Sequence, residues 1–264
     1  MTPKDLLFVP LIVIGFTACK ENNKQLADKP LKKSFSPEQG LTQPLTSITG
    51  SWTGDFERDV EERELIKETG DSYVVPPNKI TLVITNLEDG NINGYSICAG
   101  NERPFTGSYE EEGNNIKASL QEPGDNKFDG VFELTISKQA HTLTGKWTPF
   151  NKAQGSRHYN LQRKNFHYNS TIGEYPDAST RLLKADDVNN LIKEELRYMR
   201  NEIYARHGYS FKVKDIRQKF DMQDWYMPIS TDVRKKLSSI EVKNEKMIKN
   251  FEKYAEESYD DYGR

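Results

Sequence analysis

Between Gly50 and Arg163 apolar residues recur at every second position in short runs, and Gly, Asn and Asp fill the gaps between the runs. A two-residue period puts alternate side chains on one face of a strand. The runs span residues 51–56, 79–85, 92–97, 105–109, 116–120, 131–137, 142–148 and 157–163. Ile80, Leu82 and Ile84 are in phase in the second, and Phe132, Leu134 and Ile136 in the sixth. Glu88-Asp89-Gly90-Asn91, Glu112-Gly113-Asn114-Asn115 and Pro123-Gly124-Asp125-Asn126 offer the positive backbone dihedrals that tight reversals need. The pattern predicts an all-β N-terminal domain over residues 47–165, an antiparallel meander of short strands. A closed barrel and a two-sheet sandwich produce the same alternation, and only the barrel removes exposed edges.

Past this domain the period changes. Residues 166–180 hold Gly, Pro, Ser and Asn with isolated aromatics, Phe166, Tyr168 and Tyr175, and are expected to be a linker. Val188, Leu191, Ile192, Leu196, Met199 and Ile203 then recur every three or four residues, the stripe of a helix interrupted near Asn189-Asn190. Gly208 is a stop signal, because glycine takes the left-handed conformation that ends helices. Arg206 and His207 precede it, where positive charge complements the helix end. Glu202 lies four residues before Arg206, in the favourable order for an ion pair. Residues 215–220 predict a short second helix, and Pro228 ends an aromatic turn. Ser238 or Ser239 would cap a third helix with a stripe of Ile240, Ile248, Phe251 and Tyr254. Tyr204, Tyr209, Phe211, Phe220, Trp225 and Tyr226 would fill a small core, making this C-terminal domain mostly α over residues 181–254. Residues 255–264 form an acidic tail.

The chain opens with Lys4, an apolar run over residues 6–16 broken by Pro10 and Gly15, and then Phe16-Thr17-Ala18-Cys19. The run is too short for a spanning helix, which needs about 20 residues, but suits a cleaved signal over residues 1–18. The four residues ending in Cys19 resemble the lipobox of bacterial lipoproteins, with Phe16 in place of the usual leucine. The resemblance implies cleavage before Cys19 and lipid attached to its sulfur, which anchors the protein to a membrane. Lys20 after the cysteine implies an outer-membrane lipoprotein of the cell envelope, on either the periplasmic or the surface face. An ordinary secretory signal with an incidental Cys19 is the alternative. Residues 19–46, with Pro30, Pro37 and Pro44 among polar residues, read as a disordered tether.

Of 264 residues, 35% are hydrophobic and 11% aromatic, and only two are cysteines. With Cys19 lipidated, Cys98 has no partner, so burial rather than disulfides must hold the fold. The whole chain carries a formal charge of −3, yet residues 51–150 have nine Lys and Arg against eighteen Asp and Glu, a net of −9. That face would repel nucleic acid. The acidic stretch over residues 57–77 lacks the spaced aspartates of a calcium loop, so no metal site is expected.

Gly50-Ser51-Trp52 at the start of the β domain and Arg163 at its end resemble the lipocalin-type arrangement, in which an early tryptophan packs across the barrel floor. The stretch from Arg200 to Tyr209, followed by Phe211, Phe220 and Trp225-Tyr226-Met227-Pro228, resembles the YARHG domain of bacterial exported proteins. The motif that names that family is complete as Tyr204-Ala205-Arg206-His207-Gly208. The resemblance implies a small, mostly helical, extracytoplasmic domain. Tyr204, Arg206, His207, Gly208, Tyr209 and Trp225 are the candidate binding or motif residues, and no residue is assigned a catalytic role.

Three functions fit. In the first, the chain is a noncatalytic envelope lipoprotein that binds peptidoglycan or an envelope protein, with Arg197, Arg200, Arg206 and Lys212 beside Tyr198, Tyr209 and Trp225 as its docking patch. In the second, the β domain carries a small apolar ligand. In the third, an envelope hydrolase uses His207, helped by Arg206 and Glu202. Glu202 and His207 are five residues apart and project from different helix faces, and no hydrolase, phosphate-loop, zinc or cofactor signature accompanies them.

Overall fold

The computed structural model describes residues 44–59 and 76–256. The signal segment, Cys19, most of the tether, most of the acidic stretch 57–77 and most of the tail lie outside the described residues.

The β domain is a closed barrel of eight strands: β1 (Gly50–Arg58), β2 (Asn78–Glu88), β3 (Asn91–Cys98), β4 (Asn101–Glu112), β5 (Asn115–Gln121), β6 (Gly130–Ser137), β7 (Thr142–Pro149) and β8 (Arg157–Arg163). Each strand runs antiparallel to the next, and β8 returns to β1 with Phe56 opposite Tyr159 and Trp52 opposite Arg163. That last pairing settles barrel over sandwich. Inward residues follow the two-residue period: Ile116, Ala118 and Leu120 on β5 and Phe132, Leu134 and Ile136 on β6 are all buried. Two hairpins use successive positive φ values, Asp89-Gly90 between β2 and β3 and Ala99-Gly100 between β3 and β4. These are the primed turns whose twist matches that of the strands.

One end of the barrel is plugged. Trp52 is buried, its Nε1 donates to the Ile48 carbonyl at 3.0 Å, and the Arg163 guanidinium lies 6.0 Å from its ring. Arg163 also donates to the carbonyls of Ser47, Ser51 and Thr49, which ties the incoming chain to the outgoing one. This is the tryptophan-sealed floor expected from Gly50-Ser51-Trp52 and Arg163.

The C-terminal region holds α1 (Asp177–Thr180), α2 (Lys193–Arg206), α3 (Lys214–Asp221) and α4 (Ser239–Glu252). The helical stripe begins later than the apolar spacing suggests. Val188 caps a short 3-10 turn and α2 starts at Lys193, although Val188 and Leu191 still pack into the core with Leu196, Met199, Ile203 and Ile248. Residues 166–180, expected as a linker, contain α1, whose Ala178 and Ser179 are buried. Asn244 of α4 fastens it, donating to the carbonyls of Ala178 and Arg181 and accepting from the Leu183 N–H. Tyr254 departs from the predicted stripe. It follows the end of α4 and is 85% exposed.

The helical region covers one side of the barrel. On β2 residues Ile80 to Ile84 are all buried, so the strand is enclosed on both faces. Ile80, Leu82 and Ile84 face the barrel core, while Val83 packs on Met227 and Ile229. Lys79 Nζ donates to the Gln223 carbonyl at 2.5 Å, and the Gly100 N–H donates to Ser210 Oγ at 3.0 Å.

Candidate functional site

Opposite the plugged end, the barrel opens into a cavity of about 310 Å³. The end of β1, the starts of β2, β6 and β8 and the end of β3 surround it, and Lys212 and Arg217 reach it from the helical region. Its floor is aromatic: Phe56 meets Trp147 edge-on at 5.6 Å between ring centroids, with Phe132 at 6.4 Å from both. Small residues Ser96, Cys98 and Ala99 leave the space open. Burial pushes the Cys98 thiol up to about 12.

Glu122 is the acid of this cavity. It is buried, and accepts from Ser96 Oγ at 3.0 Å, the Gly130 N–H at 2.8 Å and Trp147 Nε1 at 3.2 Å. Burial raises its pKa to about 7 against the opposing pull of these three donors. Four cations line the same space. Arg103 is occupied by a two-pronged pair with Asp129, Nε to Oδ1 and Nη2 to Oδ2 both at 2.8 Å, and by Asp125. Arg157 lies over the Phe56 ring, 5.2 Å from its centroid, and donates to the Phe56 carbonyl. Arg217 on α3 forms an ion pair with Asp221, Nε to Oδ2 at 3.8 Å, too long for a hydrogen bond, and neither buried atom has another hydrogen-bond partner. Sequence reasoning passed over Arg157, Arg217 and Glu122, since only barrel closure and the docked helix bring them together.

The YARHG motif itself faces inward and outward by turns. Arg206 is 2% exposed, and its Nη2 meets Glu202 Oε2 at 2.5 Å, while Nε donates to the Ile172 carbonyl and Nη1 to Ser179 Oγ. The free sides of Glu202 accept the N–H groups of Glu174 and Tyr175 at 2.7 and 2.8 Å. Gly173, at φ +100, passes so close that a Cβ there would sit 2.3 Å from Glu202 Oε1. His207 stacks on Tyr168 at 4.4 Å and its Nε2 lies 2.8 Å from Glu241 Oε2. Glu241 also accepts from Tyr168 Oη, Ser179 Oγ and the Ser238 N–H. Burial works to raise Glu241, but His207, Ser238 and Ser179 overcome it and hold the carboxyl down to about 2. Gly208, at φ +74, turns the chain where a Cβ would lie 2.3 Å from Ile229.

Arg206, His207 and Gly208, candidates for binding, are therefore interior residues. Their groups are consumed by the fold, and His207 has its carboxylate from Glu241 on α4 rather than from Glu202. The expected docking patch is dispersed in the same way. Arg197 pairs with Asp215, Arg200 with Glu252, and Lys212 lies at the cavity. Tyr198 stacks on Phe220 at 5.0 Å, and Trp225 packs edge-on against Phe220 and Tyr226. Tyr204 and Tyr209 are partly buried and line a surface groove of 420 Å³ with Arg200, Arg234, Glu245 and Lys249. Among the described residues no three His, Cys, Asp or Glu side chains gather as a metal set, and no helix is long and apolar enough to cross a membrane.

Residues 173–255 match the YARHG domain family. The match begins ahead of residue 181, at Gly173, where the backbone cradling Glu202 starts. None of the curated proteins compared with the chain matches it. Among solved structures, the crystal structure of Echinococcus granulosus fatty-acid-binding protein 1 matches at 12% identity, covering 44% of this chain and 96% of that one, with a TM-score of 0.24. The closed barrel stands on its own strand pairing.

Proposed function

We propose that this chain, a β-barrel joined to a YARHG domain, is a noncatalytic binding protein of the bacterial cell envelope that holds a small ligand with an apolar body at the barrel mouth. The cavity carries this reading. A preformed concave site with an aromatic floor and a few polar groups is the usual form of a small-molecule site, and 310 Å³ is at the lower end of their size range. His207, which with Arg206 and Glu202 suggested a hydrolase, is 6% exposed and bonded to Glu241, which counts against a catalytic role.

The neutral fluorophore N-phenylnaphthylamine tests the cavity directly. It is expected to brighten on binding the full chain and to lose that response in Ser96→Phe, which fills the space between the sheets of side chains. An unchanged response in the variant would remove the cavity as the binding site. Envelope placement rests on the sequence alone: the apolar run before Cys19 supports a lipid-anchored outer-membrane protein. Cys19→Ala is expected to move the protein from the membrane to the soluble fraction of its host, and retention in the membrane would overturn the anchor.

The groove beside Tyr204 and Tyr209 supports a second reading, the docking of cell-wall glycan or peptide on the helical region. The accessible parts of these tyrosines would pack on sugars, and Arg234 and Lys249 would meet carboxylates. Co-sedimentation with peptidoglycan sacculi is expected to weaken in an Arg234→Glu, Lys249→Glu double variant. Equal sedimentation of variant and wild type would dismiss the groove.

A further inference from the structure

The cations at the barrel mouth point to a chemical class of ligand. Of the four that line the cavity, Arg103 alone is hydrogen-bonded to carboxylates, while Arg217 has a looser ion pair with Asp221 at 3.8 Å. Arg157 has no ion pair among the described residues; its guanidinium is spent on the face of Phe56 and one carbonyl. Arg217 donates from Nη1 to the Lys212 carbonyl, and its buried Nε and Asp221 Oδ2 face each other at 3.8 Å as an ion pair without a hydrogen bond. Lys212 lines the same space from the segment before α3, with no ion pair among the described residues. Against these stands one lining acid, Glu122, and both its oxygens already accept from Ser96, Gly130 and Trp147.

A buried donor without an acceptor costs free energy, and a guanidinium held in a cavity with no counter-charge costs more. Burial pulls Arg157 below the ordinary guanidinium range, and the neighbouring charges of Arg58 and Arg217 add to that pull against an opposing contribution from Cys98. An anion between Arg157 and Arg217 would give Arg157 the counter-charge it lacks and relieve the repulsion between the two guanidinium groups. Guanidinium groups meet carboxylate, phosphate and sulfonate oxygens in paired, planar hydrogen bonds, which a neutral polar ligand cannot reproduce. The aromatic floor of Phe56, Phe132 and Trp147 lies beneath this charged rim, so the two requirements fall on opposite ends of one molecule.

We infer that the cavity selects a small amphipathic organic anion, its apolar body on the aromatic floor and its anionic group between Arg157 and Arg217. The inference rests on the cavity being a ligand site, and the test separates the two. Anilinonaphthalene sulfonate and N-phenylnaphthylamine share an aromatic body and differ in the anionic group. Titrated into the full chain at low salt, the sulfonate is expected to bind about tenfold or more tightly than the neutral amine, a difference typical of one charge-assisted hydrogen bond. Arg157→Gln and Arg217→Gln, made separately on β8 and α3, are each expected to erase most of that preference, read as the ratio of sulfonate to amine affinity within each variant. Bound amine with no preference for the sulfonate, or a preference untouched by both variants, would overturn the anion inference and keep the cavity. Failure of both probes to bind would overturn both.

Discussion

At the residue scale the YARHG motif is a lesson in polar groups used as structure. Arg206 and Glu202 are both shut away from solvent, and the pair is tolerable because every remaining donor and acceptor finds a partner in Ile172, Ser179, Glu174 or Tyr175. Breaking such a pair leaves one buried charge alone, so Arg206→Ala is expected to cost about 3–5 kcal/mol. Arg206→Lys should recover little, since an ammonium cannot serve three directions with a planar fork. Urea unfolding followed by circular dichroism checks this, and a loss below about 1 kcal/mol would show that the network does not hold the domain. Glu122 makes a pH prediction. Its pKa is raised from the ordinary 4.5 to about 7, so the native state binds more protons than the unfolded chain between those values. Stability must then fall as pH rises through that window, by about 3 kcal/mol in all at 1.36 kcal/mol per unit. Glu122→Gln should be the more stable protein at pH 8 and show a shallower decline. Asp221, raised by burial to about 7, supplies the slope that remains. Identical slopes in variant and wild type would rule Glu122 out as the source.

At the scale of elements, β2 decides how the two regions meet. Ile80-Thr81-Leu82-Val83-Ile84 is a continuous run rather than a clean alternation, the mark of a strand covered on both faces. The inward set, Ile80, Leu82 and Ile84, was legible from the two-residue period; the meaning of Val83 was not, because its partners Met227 and Ile229 lie in another region of the chain. Val83→Asp is expected to loosen α3 and the segment around Met227 while the barrel core persists. Hydrogen exchange should speed up in residues 209–230 with little change on β5 and β6, and uniform protection throughout would refute the role of Val83. The same limit explains the rest. Alternation and turn residues exposed the strands, but the Ala99-Gly100 turn lacks the Asn or Asp that signals such a reversal. Helical spacing found α2 and its Gly208 stop, yet α1 is only four residues long and is held by Asn244. For the site, the motif residues could be read from the sequence, whereas their burial, and the meeting of Arg157 with Arg217, depend on contacts 60 residues apart in the chain (157 to 217).

At the scale of the molecule, the barrel has a floor and a mouth with different duties. Trp52 and Arg163 seal the floor and join the two ends of the sheet, while the mouth is left with space, aromatic surface and charge. Because the helical region buries Val83 and supplies Lys212 and Arg217 to the cavity, barrel and helices should unfold together. Far-ultraviolet circular dichroism and tryptophan fluorescence are expected to trace one coincident transition in urea. Two separated transitions would mean that the mouth and its helical wall are independent. Cys98 turns that shared construction into a built-in stopwatch. With burial pushing its thiol up to about 12, little reactive thiolate is present at neutral pH, so alkylation is expected to be slow while the cavity keeps its shape. The pace at which an alkylating reagent consumes Cys98 thus clocks how often the mouth opens, and an occupant that fits should slow the hand.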